Sequence, residues 1–281
     1  MGLYDRDYTQ ADFHSPYRNS PQMRMTFPRL TPAVKYLLII NVAVFFLQIL
    51  GADNILTRWF SVFPHTILAA LQIWRLLTYQ FLHDGLYHIL FNMIGLYFLG
   101  PTLERHWGSN RFLKFYIGCG MAGGLFYILL AIVGFLPVGF MIGASGAILG
   151  MLAACAILFP QFIVFFLFFP VPIRIAAIIL IFIYSANLLS KGPNAGGDSA
   201  HLAGMAAGAL YVFTQSSRTA MLLKIRARQW QKKAVDARTL QVELDRILEK
   251  VHQKGIHSLT GKEKRILQKA TSDRRNQNKT T

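Results

Sequence analysis

The stretch FMIGASGAILG, residues 140–150, lies inside the longest uncharged run of this chain. The run extends from Lys114 to Arg174, and none of the 59 residues between them is Asp, Glu, Lys or Arg. A membrane-spanning helix needs roughly 20 apolar residues, so the run holds two spans and an uncharged connection. Ser145 is the one polar side chain of the quoted stretch, and small residues surround it.

The composition of the whole chain indicates a membrane protein. Of its 281 residues, 53% are hydrophobic and 15% are charged, whereas about 25% are charged in an ordinary soluble domain. Cys119 and Cys155 both lie in apolar segments, which favours packing roles over a disulfide framework or a metal cluster. The first apolar run begins near residue 34, behind a polar leader, so no cleavable signal peptide is predicted.

Three regions follow from the composition. Residues 1–33 are polar and contain several prolines, which predicts a disordered cytoplasmic leader. Residues 34–216 are interpreted as the membrane domain. Residues 217–281 form a basic cytoplasmic tail, in which residues 247–270 are expected to form two short helices. The predicted fold class is an all-α membrane protein with six transmembrane helices and a small helical tail.

Six apolar runs predict the spans, and the distribution of Lys and Arg predicts their orientation. Residues 51–82 mix polar and aromatic residues and are expected to lie in the membrane interface. With both termini in the cytoplasm, nine Lys and Arg residues lie in inside segments and three in outside loops, as the positive-inside rule requires. A bacterial inner membrane is the expected location. The spans are predicted at about 34–50, 85–101, 112–134, 145–159, 170–189 and 199–216.

In this topology five polar side chains share one depth, near the outer ends of spans 2, 4 and 6. They are His83, His88, Asn92, Ser145 and His201. Polar groups inside a membrane are costly and usually functional.

Stripes of small residues predict that spans 4 and 6 pack closely. Ser145 directly precedes the first residue of the stripe in span 4, and His201 directly follows the first residue of the stripe in span 6. If the two stripes face each other, the hydroxyl and the imidazole come within hydrogen-bond reach. That is the arrangement of a nucleophile and its general base. The stripes are Gly146, Gly150 and Ala154 in span 4, and Ala200, Gly204 and Gly208 in span 6.

Donors for an oxyanion are available beside this pair. Ser145 opens a helix, and the first amides of a helix have no intrahelical acceptor. His88 and Asn92 are four residues apart and share one face of span 2. One such donor contributes roughly 10²–10³ in rate.

With these motifs the chain resembles the rhomboid intramembrane serine proteases over residues 34–216. The resemblance implies that Ser145 attacks the scissile carbonyl and that His201 acts as base and then as acid. It further implies an oxyanion hole of His88, Asn92 and the Ser145 amide, with no cofactor and no metal. The matching motifs are WRLLTYQFLHDGLYHILFN (74–92), GPTLER (100–105), GASG (143–146) and GGDSAHLAGMAAG (196–208).

The resemblance also assigns structural roles. Trp74 and Arg75 match residues that fold the first loop, and Glu104 matches a structural carboxylate at the cytoplasmic end of span 2. His83 is expected to make a structural hydrogen bond in the first loop. The glycines expected to support the site are Gly143, Gly146, Gly204 and Gly208.

Three features near the base are interpreted separately. Many family members have an aromatic residue four positions after the serine, packed on the imidazole, whereas this chain has Leu149. Asp198 is expected at a loop edge, facing away from His201, so that the pair acts as a dyad. Tyr184 and Asn187 of span 5 either line a water-filled cavity or satisfy each other, and the second interpretation is favoured.

Other interpretations of these residues compete with a protease. A serine in an apolar helix is often only a packing residue. A rhomboid-like pseudoprotease would bind transmembrane helices without cutting them, and a small transporter would show internal repeats. A zinc site of His83, His88 and His201 is disfavoured because no HExxH motif or carboxylate accompanies it. An aspartyl intramembrane protease is excluded by the lack of acidic residues expected inside the spans.

The expected partners are transmembrane protein substrates and the lipid bilayer. Cleavage is expected in or near the outer end of a substrate's transmembrane segment, with entry past span 5 and the loop at 190–198. The tail from residue 217 holds 17 Lys and Arg against 6 Asp and Glu. Anionic lipid is the favoured ligand of this tail, and no nucleic acid is expected.

Overall fold

The computed structural model describes residues 28–65, 71–166 and 169–268, and most of them are helical. The predicted disorder of the leader falls mainly on residues 1–27, outside the described residues. A π-helical turn (Gln48–Ala52) links α1 to α2. The helices are α1 (Pro32–Leu47), α2 (Asp53–Phe60), α3 (Arg75–Thr78), α4 (Leu86–Trp107), α5 (Ser109–Ile132), α6 (Ser145–Leu158), α7 (Ile173–Leu189), α8 (Ala195–Phe213) and α9 (Gln215–Lys254).

Several of these helices are suited to a bilayer. Three helical stretches within the described part of the chain are long and apolar enough to cross it: Pro32–Phe60, Leu86–Trp107 and Ser109–Ile132. Helices α6 and α7 are apolar but shorter. The chain is therefore a multi-pass integral membrane protein, and the count of six spans stays a prediction.

The structure adds elements that the hydropathy pattern did not reveal. The segment after the first span is not a loop throughout, because α2 and α3 form within it, and Gly51 bends the chain with a φ of 104°. The uncharged connection before α7 is an antiparallel hairpin of β1 (Ile163–Phe166) and β2 (Phe169–Pro172). Its β-branched and aromatic residues favour strands.

Helix α6 is the centre of the membrane unit. Every residue from Gly146 to Ala156 is buried, and the helix packs against α4, α5 and α7. A helix that is apolar on all sides is buried either in lipid or among other helices, and α6 lies among other helices. Ser145 therefore opens the most enclosed helix of the fold.

Residues Phe213–Thr281 form a second compact unit. The sequence predicts that Gly255 ends a short helix. Gly255, with a φ of 76°, does follow the last residue of α9, but α9 is one long helix and not a short one. The Thr260 amide donates to the Glu263 carboxylate at 2.7 Å, and this capping box begins the helix at residues 261–268. Hydrogen bonds from Lys250 and from Thr260 lower the pKa of Glu263 to about 2.

The structure buries only part of the small core that the apolar spacing predicts between the two short helices. The predicted core consists of Ile247, Leu248, Val251, Ile256, Leu259, Ile266 and Leu267. Ile247 and Leu259 are buried, whereas Leu248 and Ile256 are more than half exposed. The core of this unit is therefore smaller than the apolar pattern predicts.

Candidate active site

The segment before α6 is held by the first loop. Val62 pairs with Met141 through two backbone hydrogen bonds of 2.9 and 3.0 Å, and the Gly143 amide donates to the Tyr79 carbonyl at 3.0 Å. Gly143 has a φ of 126°, a conformation that suits glycine. These contacts fix the point at which the chain turns into α6 at Ser145.

The first loop is in turn organised by Arg75. Its guanidinium is buried and donates to the carbonyls of Arg58 at 2.7 Å and Ser61 at 2.9 Å. Burial lowers the pKa of Arg75. The Trp74 indole donates to the Trp59 carbonyl at 3.3 Å. Both residues therefore lie in the loop scaffold, away from Ser145.

The two small-residue stripes face each other as their spacing predicts. A Cβ on Gly204 would overlap the Gly146 carbonyl, and a Cβ on Gly208 would overlap the Gly150 carbonyl. Such close backbone approach is what small residues at every fourth position permit. It brings the start of α6 against the start of α8.

The close packing of α6 and α8 places the side chain of Ser145 next to that of His201. The Ser145 Oγ lies 2.7 Å from His201 Nε2, across 56 positions of sequence. Both side chains line a cavity of about 750 Å³, which His88 and Asn92 also line. The structure thus brings together the four residues singled out for chemistry.

His88 presents a donor to this cavity. The Asp84 amide donates to His88 Nδ1 at 3.1 Å, so the neutral imidazole carries its proton on Nε2. A Cβ on Gly143 would lie 2.7 Å from that Nε2, which places the nitrogen close beside the turn into α6. Asn92 is buried and donates one amide hydrogen to the His88 carbonyl at 2.9 Å, leaving a second hydrogen.

His83 and Glu104 occupy structural positions. The structural hydrogen bonds of His83 are made by its backbone: the Gln48 side chain accepts from the His83 amide at 3.0 Å and donates to its carbonyl at 3.2 Å. The expectation is wrong for the ring, because neither ring nitrogen has a hydrogen-bond partner among the described residues. The His83 ring packs 5.1 Å from the ring of His88, and burial, followed by the proximity of His88, lowers the pKa of His83 to about 4. Glu104 is buried and accepts from the amides of Ala33 and Val34 at 2.9 and 3.0 Å.

Helix α7 supplies an aromatic contact that sequence reasoning missed. Leu149 gives no ring, but the ring centroid of Tyr184 lies 4.6 Å from that of His201. Asn187 donates to the Asp198 carboxylate. The expected pairing of Tyr184 with Asn187 is therefore wrong, because each side chain reaches across to α8.

The expectation for Asp198 is also wrong. Helix α8 begins at Ala195, four residues earlier than predicted, so Asp198 lies within it and one turn before His201. Its side chain is buried, and its Oδ1 lies 3.3 Å from His201 Nδ1. An acidic residue therefore lies beside the imidazole, on the side opposite Ser145.

Two family models match the chain. The model of the Rhomboid domain matches residues 70–218, and a family of unknown function (DUF6576) matches residues 232–272. The first match covers more than half of the chain and contains the whole cavity described above. This chain belongs to the rhomboid family.

Individual relatives agree with the family match. YdcA of Bacillus subtilis (strain 168) is 33% identical over 127 residues, covering 45% of this chain and 62% of YdcA. Rhomboid protease GluP of the same organism is 35% identical over 127 residues, 44% of this chain and 24% of GluP. Rhomboid protease GlpG of Yersinia pestis (strain Pestoides F) is 28% identical over 98 residues, 35% of each chain. The chain thus spans less than two thirds of each of these relatives.

Proposed function

We propose that this chain is an intramembrane serine endopeptidase in which Ser145 is the nucleophile and His201 the general base. The observation that carries the proposal is the 2.7 Å contact between Ser145 Oγ and His201 Nε2 inside an apolar helix bundle. A packing serine would bond to a carbonyl one turn earlier and would need no imidazole. Two of the relatives described above are named rhomboid proteases.

The chemistry proposed is acyl transfer in two steps. Ser145 Oγ attacks the peptide carbonyl carbon while its proton moves to His201 Nε2. The imidazolium then gives that proton to the leaving amine, and an acyl-enzyme ester remains on Ser145. A water molecule attacks the ester, His201 accepts its proton, and the proton returns to Ser145 Oγ as the carboxylic acid leaves.

Three donors are proposed to stabilise the negative charge on the attacked oxygen. They are the Nε2–H of His88, the free amide hydrogen of Asn92 and the backbone amide of Ser145. The last is a helix N-terminal amide, where the helix dipole also favours negative charge. Donors fixed before the reaction need little reorganisation as charge develops, which makes them effective in a site shielded from water.

The proposed substrates are transmembrane segments that unwind easily. A helix hides its carbonyls in its own hydrogen bonds, so Gly, Ala or Pro near the cut should favour cleavage. We place the cut in or near the outer end of the substrate span, with six spans and both termini of this chain in the cytoplasm. A bacterial inner membrane fits that topology. Entry past α7 and the short loop at 190–194 is the proposed route.

Cleavage in liposomes tests the proposal. The purified chain is reconstituted with a single-span substrate carrying Gly and Ala at its outer end, and product masses are recorded. Wild type should cut, whereas Ser145→Ala and His201→Ala should not. Ser199→Ala removes a buried hydroxyl outside the site and serves as the matched control. Binding of the substrate without cleavage by folded wild type would favour the pseudoprotease interpretation instead.

We also propose that the first half of α9 binds anionic lipid. Residues 223–238 are exposed and rich in Lys and Arg, and Trp230 is 77% exposed. Basic residues beside an apolar ring suit an anionic membrane surface. Hydrogen exchange of this stretch should be slower in nanodiscs that contain phosphatidylglycerol than in nanodiscs of phosphatidylcholine alone. The double variant Lys232→Glu/Lys233→Glu should exchange equally fast in both lipids. Equal exchange in both lipids would contradict the proposal.

A further inference from the structure

The His201 ring is contacted on both of its nitrogens. Nε2 meets Ser145, and Nδ1 lies 3.3 Å from Asp198 Oδ1. The side chain of Asp198 is 5% exposed and that of His201 is 13% exposed. A carboxylate so little exposed needs partners, because an unpaired buried charge is strongly unfavourable.

The partners of Asp198 come from two elements. Asn187 of α7 donates to its Oδ2, and Asn194 donates to its Oδ1 at 3.4 Å. The Asp198 amide donates to the Asn194 carbonyl at 2.9 Å, which fixes the backbone as well. The carboxylate is thus oriented before any substrate arrives. Its Oδ1 lies 3.3 Å from His201 Nδ1 as a charge contact, and among the described residues Nδ1 has no partner in hydrogen-bond geometry.

We propose that Asp198 is a positioning residue for His201. It favours the tautomer with the proton on Nδ1, which leaves Nε2 free to accept the Ser145 proton, and it stabilises the imidazolium that then forms. This inference rests on the proposed protease function and extends the Ser–His pair to a third residue, supported from α7 by Asn187.

A purely structural role for Asp198 makes a different prediction. An acidic residue in the first turn favours a helix, and the Asn187 contact joins α7 to α8. If that were all, a substitution that keeps the inter-helix hydrogen bond would keep activity. The two roles are separable because the hydrogen bond needs only a donor and an acceptor, whereas His201 needs the charge next to Nδ1.

The experiment compares Asp198→Asn with the swap variant Asn187→Asp/Asp198→Asn, which restores a carboxylate–amide pair with the charge moved to α7. Ser199→Ala, one residue along α8, is the matched control. Cleavage kinetics in liposomes give kcat and KM, the rate of fluorophosphonate labelling at Ser145 reports on the nucleophile, and thermal unfolding in detergent reports on the fold.

Asp198→Asn should lower kcat and the labelling rate by about 10- to 100-fold, with KM within about twofold of the wild-type value. For comparison, replacing the Asp of a Ser–His–Asp triad by Asn lowers kcat by about 10⁴-fold. The swap variant should recover thermal stability but not kcat, and Ser199→Ala should match wild type. Asp198→Asn with unchanged kcat, or a swap variant that recovers both, would overturn the inference. A wild type that labels without cleaving still tests Asp198 through the labelling rate. A wild type that neither labels nor cleaves overturns the protease function itself.

Discussion

Gly204 and Gly146 pack so closely that the structure leaves no space for a side chain on Gly204, where a Cβ would overlap the Gly146 carbonyl. Gly204 lies three positions after His201, and Gly146 lies one position after Ser145. The backbone contact between α6 and α8 therefore sets the distance between hydroxyl and imidazole. Close packing of small residues is the physical basis of the site.

A side chain on Gly204 should separate the two groups. Gly204→Val is expected to destabilise the fold by about 1–3 kcal/mol through overpacking and to abolish labelling of Ser145. Thermal unfolding and probe labelling measure the two effects. Gly118 has open space around its Cα, so Gly118→Ala should leave both unchanged or slightly improve stability. Normal labelling of Gly204→Val would show that the contact does not set the site.

Removing the carboxylate of Glu104 should cost stability without changing the chemistry. It accepts hydrogen bonds from Ala33, Val34, Thr31 and Ser109. Since each hydrogen bond to a charged group contributes about 1.5–3 kcal/mol, Glu104→Ala should lose about 3 kcal/mol or more. Ser109→Ala removes one of these bonds and should lose less.

Denaturant titration of Glu104→Ala and Ser109→Ala gives their free energies of unfolding. Probe labelling of Ser145 at low temperature gives the activity per folded molecule. A catalytic defect in Glu104→Ala without loss of stability would contradict the structural role.

The ring of Tyr184 should matter more than its hydroxyl. Tyr184→Phe keeps the contact with His201 and should retain activity, whereas Tyr184→Ala should lower kcat about three- to tenfold, as an aromatic contact of about 0.5–1.5 kcal/mol implies. Phe182 on the same helix is 75% exposed, so Phe182→Ala is the matched control. Equal kcat values for Tyr184→Ala and wild type would exclude a role for the ring.

His83 should make stability depend on pH. Its pKa is about 4 in the folded protein against an ordinary 6.5, so the unfolded chain binds the proton first as pH falls. The stabilisation is complete above pH 6.5 and is lost towards pH 4, by up to about 3 kcal/mol. As pH falls from 7 to 4, the free energy of unfolding of wild type should therefore decrease relative to that of His83→Gln. Parallel curves between pH 7 and pH 4 would contradict this.

Much of the membrane unit could be predicted because its patterns are local. The uncharged run and the glycine spacing follow from hydropathy and from helix periodicity, and the depth of Ser145 and His201 stays a prediction. The packing prediction for α6 and α8 is confirmed by the contacts of Gly204 and Gly208. The roles of the site residues remain proposals that the experiments above address.

The surroundings of His201 could not be predicted because they depend on where α8 begins. A helix starting at residue 199 would leave Asp198 in the loop, whereas the start at Ala195 places it one turn before His201. The contacts from Tyr184 and Asn187 depend on how α7 packs, which its apolar sequence does not specify. The one available signal was their spacing of three residues, which puts both on one helix face.

Covalent labelling tests the central claim most directly. Full-length protein in detergent is treated with a fluorophosphonate, digested and mapped by mass spectrometry. An activated serine should give one adduct, at Ser145, and the adduct should be absent from Ser145→Ala and from His201→Ala. Labelling of His201→Ala at the wild-type rate, or a folded wild type without an adduct at Ser145, would contradict a Ser145–His201 catalytic pair.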